Sequence, residues 1–198
     1  MRRQTLFGFL GAALLTVAAG TLLGTTVPRM NLNALVDGSD RILQGKVEAI
    51  ETRIDAELKL PFTIVRVRVD DPICQRAVAH RGRCTSATAD RRQTVFLKHL
   101  GGKMDSPNGP VTVRASGIPE FKVGENIIVF LRDLQDAGGN FQVVGLGQGK
   151  YEVINETAVS SIQGMELVDP KTGKVLPTGY AESAPVDAFK AKIRELVK

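Results

Sequence analysis

The sequence predicts a mainly β protein, folded as a small closed or partly open barrel or as a sandwich, with a short N-terminal helix and a C-terminal amphipathic helix. Several segments alternate apolar and polar residues with a period of two, which is typical of half-buried strands. Glycines and prolines separate these segments and supply turns. Many short strands joined by turns favour a barrel or a sandwich, and the pattern alone does not choose between them.

The first predicted element is a helix over residues 31–36. Asn31 or Asn33 can serve as its N-cap, and an apolar stripe follows the helical period. Turn-forming residues at 37–39 would end it.

The first two predicted strands have the clearest alternation. Their inward-facing sets are Leu43, Gly45, Val47 and Ala49 in one strand, and Thr63, Val65, Val67 and Val69 in the other. The remaining predicted strands cover residues 95–98, 111–114, 127–131, 141–146 and 151–154. Residues 127–131 are apolar without interruption, which predicts a strand covered on both faces.

The C-terminal segment changes to a helical period. Its apolar positions are Val186, Phe189, Ile193 and Leu196, and lysines and arginines occupy the other face. We expect an amphipathic helix docked on the barrel, because surface helices of globular domains have such a stripe. A helix lying on a membrane surface is the alternative.

Residues 1–24 are predicted to be an export signal, followed by a single domain over residues 25–198. A charged start at Arg2 and Arg3 precedes an apolar stretch that ends in small residues, and cleavage is expected after Gly20 or Gly24. An uncleaved membrane anchor is the alternative, and it would be the chain's contact with a membrane. The expected location is therefore the periplasm or the extracellular space.

The two cysteines, Cys74 and Cys84, lie close together in a stretch predicted to be a loop, residues 71–90. In an oxidising compartment such a pair favours a disulfide. A metal site with His80 is the alternative, but its spacing matches no closed four-ligand zinc pattern. The same stretch carries a basic group that could attract an anionic partner, although a solvated loop is the favoured interpretation. That group consists of Arg76, Arg81 and Arg83.

No catalytic motif, metal site or cofactor site is predicted. The sequence lacks a nucleophile elbow, a Walker motif, a dinucleotide fingerprint and a zinc-protease motif. Two segments are predicted to specify turns. One contains Gly117, Pro119 and Gly124, and the other, interpreted as a bend between strands, contains Gly145, Gly147 and Gly149.

Charge argues against a nucleic-acid partner. The net charge of +5 includes Arg2 and Arg3, so the predicted mature chain carries +3, which is only mildly basic. We expect the partner to be a protein or polymer of the cell envelope.

Several stretches of the chain carry a resemblance to known sequences, namely Thr25-Thr26-Val27, Leu35-Val36, Ser39-Asp40, Gly45-Lys46-Val47, Gly101-Gly102, residues 117–131 and residues 144–150. On these stretches the chain resembles a broad group of uncharacterised exported bacterial β-rich proteins, and this resemblance implies no particular activity.

In outline, a short helix, Ser39-Asp40 and an apolar strand containing Gly45-Lys46-Val47 are also similar to netrin-like domains and tissue inhibitors of metalloproteinases. That resemblance implies a barrel of the oligonucleotide/oligosaccharide-binding (OB) type. Those inhibitors act through an N-terminal cysteine, which this chain lacks near its predicted mature start.

The function expected from the sequence is therefore a non-enzymatic exported binding module. A protease-inhibitor-like module is the first alternative. A hydrolase that uses His80 or His99 is the second alternative.

Overall fold

The computed structural model describes residues 26–75, 93–160, 162, 166–177 and 182–197, together with the backbone of residues 85–86. The predicted export signal lies outside these residues. The described elements are β1 (Thr26–Pro28), α1 (Leu32–Asp37), β2 (Arg41–Ile54), β3 (Pro61–Gln75), β4 (Thr85–Ser86), β5 (Thr94–Leu100), β6 (Gly102–Ser106), β7 (Gly109–Val113), β8 (Asn126–Asp133), β9 (Phe141–Val143), a 3₁₀ helix (Leu146–Gly149), β10 (Lys150–Ile154), β11 (Thr157–Ser160), β12 (Glu166–Val168), β13 (Ser183–Pro185) and α2 (Val186–Leu196).

Five strands close into a barrel in the order β2, β3, β5, β9, β8 and back to β2. The neighbours are antiparallel except β5 and β9, which are parallel. Counted along the chain, the circular order is one, two, three, five, four, which is the order of the OB-fold. The prediction of a mainly β fold with a closed barrel is confirmed, and the sandwich alternative is wrong because β8 pairs with β9 and closes the ring.

The barrel interior is aliphatic and follows the predicted alternation. Its buried residues are Leu43, Val47, Val65, Val67, Val69, Val95, Leu97, Ile127, Val129, Leu131 and Val143. One expectation fails in β2, where the register with β3 shifts between Val47 and Ala49. After this irregularity Ile50, and not Ala49, packs against the interior.

A second hydrophobic cluster lies outside the barrel, between its wall and the helices. Ile128 and Phe130 of β8 belong to this outer cluster, whereas their neighbours belong to the interior. The Phe130 ring lies 6.0 Å from Tyr151 and 6.3 Å from Phe189 of α2, measured between ring centroids. Both faces of β8 are therefore covered, as its uninterrupted apolar run predicted.

Both helices are where the sequence predicted them. Asn31 caps α1, since its side-chain oxygen accepts a hydrogen bond from the Ala34 N–H at 2.9 Å. Helix α2 docks on the barrel through its apolar face. Its basic face is held as well, because Lys190 and Arg194 contact Asp71 of β3 at 3.1 and 2.9 Å.

Other predicted elements differ from the structure. The strand expected at residues 111–114 is part of β7, which pairs with β6 outside the barrel. The strand expected over residues 141–146 ends at Val143 and is followed by the 3₁₀ helix. The stretch expected to be a loop from residue 71 begins as strand, because β3 continues to Gln75 and pairs with β2.

Within the described part of the chain, no helix is long and apolar enough to cross a membrane.

Candidate functional site

The candidate site is the barrel end where β5 finishes and β3 begins. Along β5, Val95, Leu97 and His99 point inward, and His99 is the last of them, paired in register with Thr63. We call this end the mouth. The connection between β5 and β8, which contains β6, β7 and residues 114–125, crosses it.

Residues 115–121, here called the strap, cover part of the mouth. Gly117 has φ of +78° and is the third residue of a turn in which the Ile118 N–H donates to the Ala115 carbonyl at 3.3 Å. Two bonds hold the strap down. The Gly147 N–H donates to the Gly117 carbonyl at 2.7 Å, and Lys150 Nζ donates to the Glu120 carbonyl at 2.6 Å.

A buried ion pair fixes the end of the strap. Lys150 Nζ lies 2.5 Å from Glu125 Oε1, and the two side chains are only 2% and 4% exposed. The ammonium also lies 4.9 Å from the Phe121 ring centroid. Lys150 thus connects Glu120 of the strap with Glu125, and removing either charged partner would leave the other charge buried.

The turn before β8 explains why glycine occupies position 124. Gly124 has φ of +89°, where side chains are disfavoured. Its N–H donates to the Val47 carbonyl, and the Val47 N–H donates to the Glu125 carbonyl, at 2.8 and 2.9 Å. These two bonds attach the turn to β2 and bring Glu125 toward Lys150.

Under the strap lies His99, 6% exposed, with its ring stacked on Phe121 at 5.5 Å between centroids and an interplanar angle of 21°. Burial lowers the pKa of His99 to about 4, so the imidazole is neutral at pH 7. Its Nε2 is buried and has no hydrogen-bond partner among the described residues. Most buried polar atoms in proteins are hydrogen-bonded, so this nitrogen is an exception.

Two clefts flank the strap, and His99, Leu100, Ile118 and Pro119 line both. The first, the hydroxyl cleft, has a volume of about 700 Å³, and the side-chain hydroxyls lining it belong to Thr52, Thr63, Thr112 and Ser116. The second, the apolar cleft, has a volume of about 550 Å³. Both volumes fall in the range of small-molecule and peptide sites.

The apolar cleft is walled by Phe62, Leu100, Ile118, Pro119, Leu134 and Leu146. Its charged groups form one pair, with Lys98 Nζ 3.6 Å from Asp136 Oδ2. Asn140 donates its backbone N–H and its Nδ2 to Asp136, both at 2.9 Å, and these bonds hold the pKa of Asp136 below its usual value. The cleft therefore has an apolar wall and a neutralised ion pair.

The predicted turn glycines lie around this site. Gly145 has φ of +64°, and a Cβ there would come within 2.6 Å of Met30 Sδ. A Cβ at Gly149 would lie 2.5 Å from the Val144 carbonyl oxygen. Gly147 donates to the strap, as described above. The expected bend between strands is a 3₁₀ helix that supports the mouth.

The predicted cysteine site is only half described. Cys74 lies fully buried in β3 and not in a loop. Cys84, His80, Arg76, Arg81 and Arg83 lie outside the described residues, so the disulfide and the basic group stay predictions.

Sequence reasoning missed the Lys150–Glu125 pair and the position of His99 under the strap. A lysine directly before the strand predicted at residues 151–154 was the available signal for the pair. His99 continues the inward series after Val95 and Leu97, and this signal was visible in the alternation. Their convergence depends on contacts between distant segments.

The described residues offer little for catalysis at the mouth. His99 Nε2 contacts no nucleophile there, and none of the described residues form a group of three or more histidine, cysteine or carboxylate side chains placed to hold a metal ion. The mouth offers a ligand hydroxyls, apolar walls, a neutral imidazole and, in the hydroxyl cleft, the charged residues Lys103, Arg114 and Glu120.

The chain matches no family model, no curated protein and no solved structure.

Proposed function

We propose that this protein is a non-enzymatic binding module, exported to the cell envelope or the extracellular space, and that its ligand occupies the clefts beside the strap. The observation that carries the proposal is a barrel mouth that the strap covers only in part, with a cleft on each side and buried His99 lining both.

The composition of the clefts supports binding. Ligand sites in proteins combine mainly apolar walls with a few polar groups that fix orientation. Here the imidazole of His99 lines both clefts, and Thr63 and Ser116 place hydroxyls in the first. Barrels of the OB type often bind ligands through one face and the adjoining loops, although this analogy of fold is secondary support.

The neutral state of His99 favours binding over hydrolysis. A general base works best with a pKa near the operating pH, and burial places that of His99 at about 4. Its Nε2 also lacks a serine or cysteine partner among the described residues. If the purified protein hydrolysed ester, peptide or glycoside substrates and His99→Ala abolished this, the proposal would fail.

The proposed location depends on the N-terminal pattern and on the cysteines. Strand β4 pairs with β3, opposing Ser86 to Cys74 and Thr85 to Gln75. Ser86, which lies opposite Cys74, follows Cys84 by two residues in the sequence. This pairing supports the disulfide that an oxidising compartment would allow.

Site-specific crosslinking in the native cell tests the binding site. A photo-crosslinking amino acid at Leu100, on the rim of both clefts, is compared with one at Lys192, on the exposed face of α2. We expect a product of defined mass from position 100 that position 192 does not give.

A blocking variant makes the test specific. Ile118→Trp, at a residue that lines both clefts, should fill them and remove the product, whereas Ser183→Trp, which lines neither cleft, should retain it. Products that are equal at both crosslinking positions, or insensitive to Ile118→Trp, would contradict the proposed site.

A further inference from the structure

The strand pairing that closes the barrel between β5 and β9 is short. The two strands share a single registered pair, Leu97 with Phe141. Beyond that pair no registered contact joins them, and the apolar cleft lies between Lys98 and Leu100 on one side and Gln142 and Val143 on the other. The strand edges on both sides of this gap therefore face the cleft.

Backbone hydrogen bonds reveal which groups point into the gap. In an antiparallel ladder, alternate residues bond to the partner strand and the others point away from it. The Gly101 N–H donates to the Pro61 carbonyl at 2.9 Å, and the Val69 N–H donates to the Gln93 carbonyl at 3.0 Å. Odd-numbered residues of β5 thus bond to β3.

It follows that Lys98 and Leu100 present their backbone groups to the β9 side. A parallel pair at Leu97 and Phe141 uses the Lys98 N–H, because the Leu97 groups already face β3. The Lys98 carbonyl and both backbone groups of Leu100 have no strand partner in this register. Unpaired edge groups of this kind are a template for another strand.

We propose that an extended, uncharged apolar segment of a partner polypeptide pairs with this edge of β5 and occupies the apolar cleft. This inference rests on the proposed function and names the class of partner. Main-chain bonds to Lys98 and Leu100 would provide affinity, and side chains packing against the apolar wall would provide specificity.

The charges of the cleft indicate why the segment is uncharged. Lys98 and Asp136 already neutralise each other, so a charged side chain would lose its hydration without gaining a free partner. An apolar side chain has no charge to dehydrate, so it enters the cleft without this cost. Donor and acceptor groups repeated along a strand edge fit a polypeptide main chain better than a glycan, which has no such repeat.

Selection from a displayed library of random linear peptides on the full-length protein tests the class of partner. We expect the selected sequences to be enriched in uncharged apolar segments. Hydrogen exchange followed by NMR should show the Leu100 amide slowed about tenfold or more by a selected peptide, because pairing protects the N–H.

A pair of variants at one position tests the main-chain contact. Leu100→Pro removes the N–H that faces the cleft and leaves the β3 bonds of its neighbours, while Leu100→Ala removes only side chain. We expect peptide affinity about tenfold lower in Leu100→Pro than in Leu100→Ala. Should Leu100→Pro fail to fold, the exchange experiment on the unaltered protein decides.

Peptides that bind while exchange at Leu100 stays unchanged would overturn strand pairing and leave the binding module intact. Failure to select any peptide, with a glycan product in the crosslinking at position 100, would overturn the polypeptide class alone. If position 100 gave no product that position 192 lacks, the proposed function itself would be contradicted.

Discussion

The helix-covered side of the barrel and the strapped mouth are sealed in different ways. On the helix side, three aromatic rings pack against each other, and α2 is also tied by its charged face to Asp71. At the mouth, a seven-residue strap is held by two hydrogen bonds and one buried ion pair, with a cleft on either side. Stability is thus concentrated on one side, and the other retains an opening where a ligand can be held.

The largest expected effect on this comparison comes from Phe130→Ala on the sealed side. Phe130 is fully buried among Tyr151 and Phe189, so the substitution leaves a cavity and should lower the free energy of unfolding by about 4 kcal/mol. Denaturant unfolding measures it. The counterpart at the mouth is Ile118→Ala, a half-buried strap position, with an expected loss of about 1 kcal/mol. Equal losses would mean that the two sides are equally sealed.

A pH-dependent effect of intermediate size is expected at the mouth from His99→Leu. The pKa of His99 lies at about 4 in the folded protein, below its ordinary 6.5, so the unfolded chain takes up the proton first as pH falls. The stability that neutral His99 contributes is complete above pH 6.5 and is lost between pH 6.5 and about 4. As pH falls across that window, the free energy of unfolding of His99→Leu should rise by about 2–3 kcal/mol relative to that of the wild type.

Thermal or denaturant unfolding at pH 7 and pH 4 gives this difference directly. Because the two proteins differ only at position 99, the contributions of all other residues largely cancel in the comparison. A difference that does not change with pH would mean that His99 is protonated as easily in the folded protein as in the unfolded one.

The smallest expected effect is on the helix side, from Asp71→Asn. Burial raises the pKa of Asp71, but the hydrogen bonds and charges of Lys190 and Arg194 outweigh burial and hold it below 3.8. Losing these contacts should cost about 1–2 kcal/mol at pH 7. The contribution is present above pH 3.8 and is lost as pH falls through the folded pKa, so the difference should shrink in acid.

Asp187→Asn is the matched control, since Asp187 also contacts Lys190 but its side chain is fully exposed. It should lower the free energy of unfolding only slightly, since an exposed ion pair and a charge in the first turn of a helix contribute little. If Asp71→Asn and Asp187→Asn changed the free energy of unfolding equally, the contacts of Asp71 with α2 would not distinguish the helix side from the mouth.

Much of the barrel could be predicted because alternation is a local property. Val65, Val67 and Val69 show which face of β3 is buried without any knowledge of its neighbours. The Asn31 cap and the apolar face of α2 are equally local. The register shift near Ala49 could not be predicted, because an extra residue in one strand leaves no distinct signal in the composition.

The mouth could not be predicted, because it is assembled from segments distant in the chain. Lys150 meets Glu120 and Glu125, and His99 meets Phe121, only after the barrel has closed. The hairpin between β10 and β11 was missed for another reason. Its turn places Asn155 and Glu156 at positive φ, and Glu156 stands where the glycine of the usual Asn-Gly signal would be.

Strand β8 has a consequence for how the protein unfolds. Its side chains alternate between the barrel interior and the outer cluster, so neither cluster can lose its packing while the other keeps it intact. The helices should therefore not melt as an independent layer. We expect helical and tertiary signals to disappear in one cooperative transition, with the slowest-exchanging amides on β8.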